Sequence, residues 1–317
     1  MKKTFTALLL GSACFTAQAL NQQQSAIRTV AAHLGSGYSA GDRYPRTNWV
    51  QWFGQQAQQG ERQGVPGYHD AVWGLALGGD DGIFGTDVQV GLAGSWSNAD
   101  VHHEGLLDTS SNIDSYQVML YGQVPFAELA FFNWIFAAAF NQYIIQFPLQ
   151  LGTTQYTIVG NTHGGQYGLK GECGYDFVQN YFHIIPLISL FYSHLDISSY
   201  TNNANMNIDA KHLSLLEGGL GIRFAFDCIV NAIAFQPEWH VMVFYDVVNE
   251  KMQTTAQFTA NGPNFATDIA PAPANYNLGF SIRSENYGGF DLLASYDFDY
   301  KEQYTANAGF FKLRYIW

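Results

Sequence analysis

Gly309-Phe310-Phe311-Lys312-Leu313-Arg314-Tyr315-Ile316-Trp317 is the stretch whose alternation decides the fold. Phe311, Leu313, Tyr315 and Trp317 share one parity, while Lys312, Arg314 and Ile316 share the other. Successive side chains of a β-strand point to opposite faces, so this segment presents one large apolar face and one cationic face. With the apolar face in hydrocarbon, a register slip of one residue would carry Lys312 and Arg314 into the bilayer, at about 2–4 kcal/mol each near the midplane. The energetics fix the assignment of faces, and the segment reads as a membrane strand.

The same period recurs upstream. Val88, Val90, Leu92 and Trp96 alternate with Gln89, Gly91, Ala93, Ser95 and Ser97, and Tyr116, Val118 and Leu120 alternate with Ser115, Gln117 and Tyr121. Tyr167, Leu169, Cys173 and Tyr175 alternate with Gln166, Lys170, Glu172 and Asp176. Leu220, Ile222 and Phe224 alternate with Glu217, Gly221 and Arg223, and Trp239, Val241 and Val243 with Glu238, His240 and Met242. Phe290, Leu292, Tyr296 and Tyr300 alternate with Asp291, Ser295, Asp297 and Asp299. A soluble β-sandwich also alternates. Here, however, the segments run about 10–14 residues, whereas strands of soluble proteins average about 5–6. Aromatic residues gather at segment ends, as interface girdles do, and charges sit mid-strand on the non-lipid face, which suits a wet lumen. The fold class is therefore all-β: a twelve-stranded antiparallel transmembrane β-barrel.

The twelve strands are expected near 48–58, 66–79, 86–98, 113–124, 127–146, 162–176, 182–197, 210–226, 229–247, part of 253–283, 287–301 and 304–317. Pro263, Pro271 and Pro273 make the tenth the least regular. Gly79-Asp80-Asp81-Gly82, Asp227-Cys228 and Tyr287-Gly288-Gly289 read as tight turns. The polar stretches 99–112 and 198–211 read as extracellular loops.

Lys2 and Lys3 precede a short apolar core from Phe5 to Phe15 and the sequence Ala17-Gln18-Ala19, the pattern of a secretory signal peptide cleaved after Ala19. Gly11-Ser12-Ala13 ahead of Cys14 lacks the Leu of a lipoprotein site. Three regions follow: a signal peptide at 1–19, a linker with a short helix at 20–46, and a barrel domain at 47–317. The 317 residues are 16% aromatic and only 13% charged, with a formal net charge of −12. That balance argues against nucleic acid as a partner. The apolar run from Leu129 to Phe140 is too short for a transmembrane helix. After processing, Cys173 and Cys228 remain, and two unpaired thiols are expected. From Gln22 to Leu34, the residues Ile27, Val30, Ala31 and Leu34 recur at helical spacing, with Gly35 placed for a C-cap. This helix either occupies the barrel lumen as a plug or trails as a tail.

Motifs for chemistry are sparse. Gly37-Tyr38-Ser39-Ala40-Gly41 matches G-x-S-x-G, which needs a strand-to-helix turn of an α/β sheet and so reads as chance here. His102, His103 and Glu104 fall in an expected surface loop, and adjacent histidines on a strand point apart, so no metal site is expected. No catalytic residue and no cofactor are expected. Lys170, Glu172, Glu217, Arg223, Glu238 and His240 are the lumen-facing candidates. Such charges line a channel, hold a peptide, or satisfy one another, the last being the default.

Asn48-Trp49-Val50-Gln51-Trp52-Phe53-Gly54, Trp73-Gly74-Leu75-Ala76-Leu77-Gly78-Gly79-Asp80 and Val90-Gly91-Leu92-Ala93-Gly94 resemble the opening of the autotransporter translocator domain. Leu120-Tyr121-Gly122, Pro186, Glu217-Gly218-Gly219-Leu220-Gly221, Pro237-Glu238-Trp239-His240 and the final aromatic strand follow in the family's order. The resemblance runs from Asn48 onward and implies an outer-membrane barrel, threaded by an N-terminal helix, that anchors and translocates a passenger. Residues 20–46 leave room for a linker and not for a passenger, a departure from the family pattern. A small-solute channel is the alternative, and an outer-membrane hydrolase a weaker one. The resemblance also implies that Phe311, Leu313, Tyr315 and Trp317 form a signal read by the barrel-assembly machinery. Outer-membrane lipids are the other expected partner, and a monomer the expected state, because closure removes free strand edges.

Overall fold

A computed structural model describes residues 46–317, except 63–66, 85, 105–108, 152, 232, 249, 251, 259–263 and 270–271, together with 22–28, 30–31 and 34 of the N-terminal segment. The signal peptide, the Gly35 cap and the 37–41 motif lie outside the described residues.

Twelve strands form the wall, each paired antiparallel with the next. They are β1 (Thr47–Gln59), β2 (Tyr68–Gly82), β3 (Gln89–His103), β4 (Ser110–Ala127), β5 (Ala130–Leu151), β6 (Thr154–Tyr175), β7 (Phe182–Ile197), β8 (Lys211–Phe226), β9 (Ile233–Asp246), β10 (Ala274–Tyr287), β11 (Phe290–Lys301) and β12 (Tyr304–Ile316). The last strand pairs with the first in continuous register from Thr47↔Ile316 to Gln59↔Tyr304, so the sheet closes into a barrel. In hydrocarbon, where an unpaired backbone group costs several kcal/mol, that closure allows strands to span at all.

One end of the barrel carries short turns, such as the two glycines Gly288 and Gly289, both at positive φ. The other end carries the long connections. Two of these meet: short strands at Tyr200–Thr201 and Met206–Ile208 pair with a hairpin of Met252–Phe258 and Asn264–Ile269 in a separate four-stranded sheet. Short turns are periplasmic and long loops extracellular in barrels of this class. The segment ahead of β10 therefore carries a surface hairpin, and Pro273 directly precedes the strand.

Three expected boundaries are corrected. Gly79-Asp80-Asp81-Gly82 is not a turn but the end of β2, paired with β3 through Gly82↔Gln89. Residues 99–103 and 110–112 are strand, not loop: β3 runs on to His103 and β4 begins at Ser110, so both strands rise past the apolar band. Asp227-Cys228 is likewise not the turn, because Cys228–Val230 continues the pairing onto β9 and extends that hairpin. Turn-forming residues sit within strands here because the pairing partner supplies what local propensity withholds.

The outer wall is a belt of exposed apolar side chains, among them Leu77, Leu92, Leu120, Phe136, Leu169, Ile188, Leu220 and Val241. Above it the outer face turns polar: Asn98 donates to Asn112 at 3.0 Å and to Asp114 at 3.0 Å, and Asn112 donates to Asp100 at 2.7 Å. Trp73 and Trp96, ring centroids 4.6 Å apart, lie just below that change, where an aromatic girdle belongs. Cys173 and Cys228 are free thiols.

Inward, large residues are received by glycine. A Cβ on Gly91 would lie 2.2 Å from the Tyr121 ring, whereas one on Gly165, on the outer face, would meet nothing within 4 Å. Gly91→Val is expected to lower barrel stability by about 1–3 kcal/mol through overpacking, and Gly165→Ala to change it by less than about 0.5 kcal/mol. Denaturant unfolding of the refolded barrel checks the pair, and equal stabilities would contradict a packed lumen.

Candidate functional site

The lumen is occupied by the N-terminal helix, α1, described at residues 22–28, 30–31 and 34. Its apolar stripe of Ala26, Ile27, Val30 and Leu34 is buried, and the cluster it joins draws Trp49 and Phe53 from β1, Met119 and Tyr121 from β4, Ile135 and Ala137 from β5, Phe191 from β7 and Leu215 from β8. Contact with strands from all round the wall places the helix inside. The small residues of β5 make this approach feasible: Ala137 faces inward and is fully buried. Gly168 on β6 serves the same end, since a Cβ there would lie 3.0 Å from Gln23 Oε1 and 3.2 Å from Ile27 Cδ1.

Polar side chains of α1 are tied to the wall. Gln22 donates to the Ile113 carbonyl at 3.2 Å, Gln24 donates to Glu217 Oε2 at 3.1 Å, and Gln23 Oε1 accepts from Ser193 Oγ at 2.7 Å. Ser25 bonds to Gln55, and Arg28 forms an ion pair with Asp299. Asp299 also accepts from Asn275 and Asn277, each at 3.2 Å. A buried carboxylate needs this number of donors, because desolvation outweighs a single contact.

The lumenal candidates from the sequence lie beside α1 around a cavity of about 110 Å³. Four of them alternate in sign. Lys170 Nζ is 3.4 Å from Glu172 Oε2, Glu172 Oε1 is 3.8 Å from Arg223 Nη2, and Arg223 Nε is 3.0 Å from Glu238 Oε1. His240 stands opposite Arg223 in the β8–β9 register and reaches Asp297 Oδ1 at 2.9 Å. It can cross β10 because the intervening residue is Gly279, where a Cβ would lie 2.1 Å from His240 Cε1. Glu217 stands apart from this row, between Gln24 of the helix and Lys301 Nζ at 3.7 Å. These side chains neutralise one another and the helix.

Sequence reasoning missed a second lumenal group near the short-turn end. Trp49 donates to the Tyr121 hydroxyl at 2.7 Å, that hydroxyl donates to Asp80 at 2.9 Å, and Thr47 donates to Asp80 at 2.7 Å. Lys312 Nζ lies 4.7 Å above the Trp49 ring. The shared parity of Gly74, Ala76, Gly78 and Asp80 carried the signal, hidden by the turn-like composition around Asp80.

On the outer face, Phe311 and Tyr315 of β12 and Trp317 just after it are exposed, and Leu313 is partly so. Phe311 meets Trp52 across the closing seam, and Tyr315 meets Phe290 at 4.9 Å and Trp317 at 5.2 Å. Lys312 is buried toward the lumen. His102 and His103 end β3 rather than lying in a loop: His102 stacks on His69 at 5.2 Å while His103 turns toward Tyr68.

A closed twelve-stranded barrel with an apolar belt outside and a helix held in a charged lumen defines an integral outer-membrane protein of the translocator class. The chain belongs to the autotransporter β-domain family, whose family profile matches residues 48–297. It is 24% identical over 280 residues to outer membrane protein A of Rickettsia conorii, covering 84% of this chain and 14% of that protein. In fold it is similar to the translocator domain of the autotransporter NalP from Neisseria meningitidis, with a TM-score of 0.75 at 13% identity over 95% of this chain and 97% of that one. It is also similar to the transport unit of the autotransporter AIDA-I from Escherichia coli, with a TM-score of 0.65 at 12% identity over 94% and 98% of the two chains. The protein is thus an outer-membrane autotransporter-type barrel.

The Arg28–Asp299 pair joins helix to wall, so Arg28→Ala, Asp299→Ala and the double variant should be non-additive. A coupling of about 1–3 kcal/mol is expected, read from denaturant unfolding of the refolded barrel. Strict additivity would mean that the helix is not held there.

Proposed function

We propose that this barrel anchors in the outer membrane and that its lumen carries a passenger polypeptide to the cell surface when one is joined ahead of α1, residues 20–46 themselves supplying only a linker. The observation that carries the reading is the helix held within the lumen. Gln22 bonds near the start of β4, at the long-loop end, while β1 begins at the short-turn end. A chain so threaded enters the barrel from the periplasm and points outward. The chain spans about a seventh of the length of its Rickettsia conorii relative.

A hairpin-threaded or extended segment would pass where the helix now lies, and the alternating lumenal charges would replace some of the water hydrogen bonds such a segment loses. Solute conduction is disfavoured by the same occupancy, since apolar and polar faces of α1 are both engaged. The lumenal carboxylates and His240 are engaged in pairs within the lumen: Glu172 with Lys170 and Arg223, Glu238 with Arg223, and His240 with Asp297. The outward Phe311, Leu313, Tyr315 and Trp317 fit a role as the segment grasped by the barrel-assembly machinery, and lipids of the outer membrane are the solvent of the belt.

A folded-epitope reporter inserted ahead of Gln22, behind the secretory signal, should become accessible to protease added to intact cells. Trp317→Ser should lower both the heat-modifiable barrel and the exposed reporter together. A reporter that stays protected in cells with normal barrel levels would refute transport through this lumen.

A further inference from the structure

A second cluster sits on the outer wall, away from the lumen. His194 and Asp196 are two apart on β7; on β8, Ser214 stands opposite His194 and His212 opposite Asp196. The period of two puts all four on one face. That face is the outer one: the His212 and Asp196 side chains are 68% and 46% exposed, and that of His194 is 20% exposed. The ring of Tyr167 lies 5.1 Å from His194 and 6.5 Å from Tyr192. These tyrosines mark the upper edge of the apolar belt, so the cluster stands just above it, at the extracellular rim.

One ligand atom from each of His194, Asp196 and His212 lies within 4.8 Å of the other two. His194 Nε2 is 3.3 Å from Asp196 Oδ1, and His212 Nδ1 bonds to the same oxygen. The other ring nitrogen of His194, Nδ1, is 2.9 Å from Ser214 Oγ. The Ser214 hydroxyl thus fixes the imidazole by its Nδ1 edge and turns Nε2 toward the carboxylate, where His212 Nδ1 also converges. A histidine oriented through its distal nitrogen is the usual support of a metal ligand. Two imidazoles and a carboxylate suit zinc, whose bonds of about 2.0–2.2 Å in a tetrahedron place neighbouring ligand atoms about 3.4 Å apart.

We propose that His194, Asp196 and His212 bind a divalent transition metal of the zinc class, with the fourth position open to water. Such an ion clamps β7 to β8 at the base of the connection that holds Tyr200–Thr201 and Met206–Ile208. Ser214 is a positioning residue, acting through His194.

The test is calorimetric titration of the refolded full chain, without a histidine tag, with zinc chloride, followed by cobalt(II) as a spectroscopic substitute. One ion per chain is expected, with the visible absorption of tetrahedral cobalt. Asp196→Asn and His212→Gln should each weaken binding at least about tenfold while the barrel remains heat-modifiable, and His102→Gln, on another part of the rim, should leave affinity unchanged. Equal affinity in all variants, or no zinc uptake by the folded barrel at micromolar concentration, would overturn the site.

Discussion

The pairing of β12 with β1 is the constraint on which everything else rests. Without it, two strand edges would face hydrocarbon with unpaired N–H and C=O groups. Closure fixes the number of strands that can surround the lumen, and alternation then fixes which side chains enter it. Phe311 and Trp52 pack across the seam on the lipid side, while Lys312 over Trp49 closes it on the lumenal side. A single run of residues thus serves both solvents.

A closed twelve-stranded wall encloses more space than its own side chains fill, and the helix occupies it. The fit depends on size complementarity, with Ala137 and Gly168 facing the helix and larger residues such as Phe191 and Leu215 completing its apolar surroundings. It depends equally on charge. Arg28 meets Asp299, Gln24 meets Glu217, and four further wall charges alternate in sign from Lys170 to Glu238. Burial makes each unpaired member costly, so the set is stable as a whole and sensitive to removal of any one.

Much of this was legible in the sequence because a lipid-facing strand has one inflexible rule, alternation, and β12 keeps it from Phe311 to Tyr315. Helical spacing of Ile27, Val30 and Leu34 likewise named the buried stripe of α1. Local composition misled where tertiary pairing overrode it. Asp80 reads as a turn residue, yet it is the acceptor for Tyr121 and Thr47. Residues 99–112 read as a loop because the outer face above the membrane is polar, although 99–102 and 110–112 are still paired. Cross-strand partners were not legible at all. Glu172 and Arg223 are far apart in sequence, and only the register of β6, β7 and β8 brings them together; the same holds for His212 with His194 and Asp196.

The central claim, that the helix fills the barrel, is tested most directly by single-channel conductance of the refolded protein in planar bilayers, with and without residues 20–41. The account predicts a closed or barely conducting pore for the intact chain and large, stable openings once the helix is removed. Open conductance of the same size in both forms would contradict it.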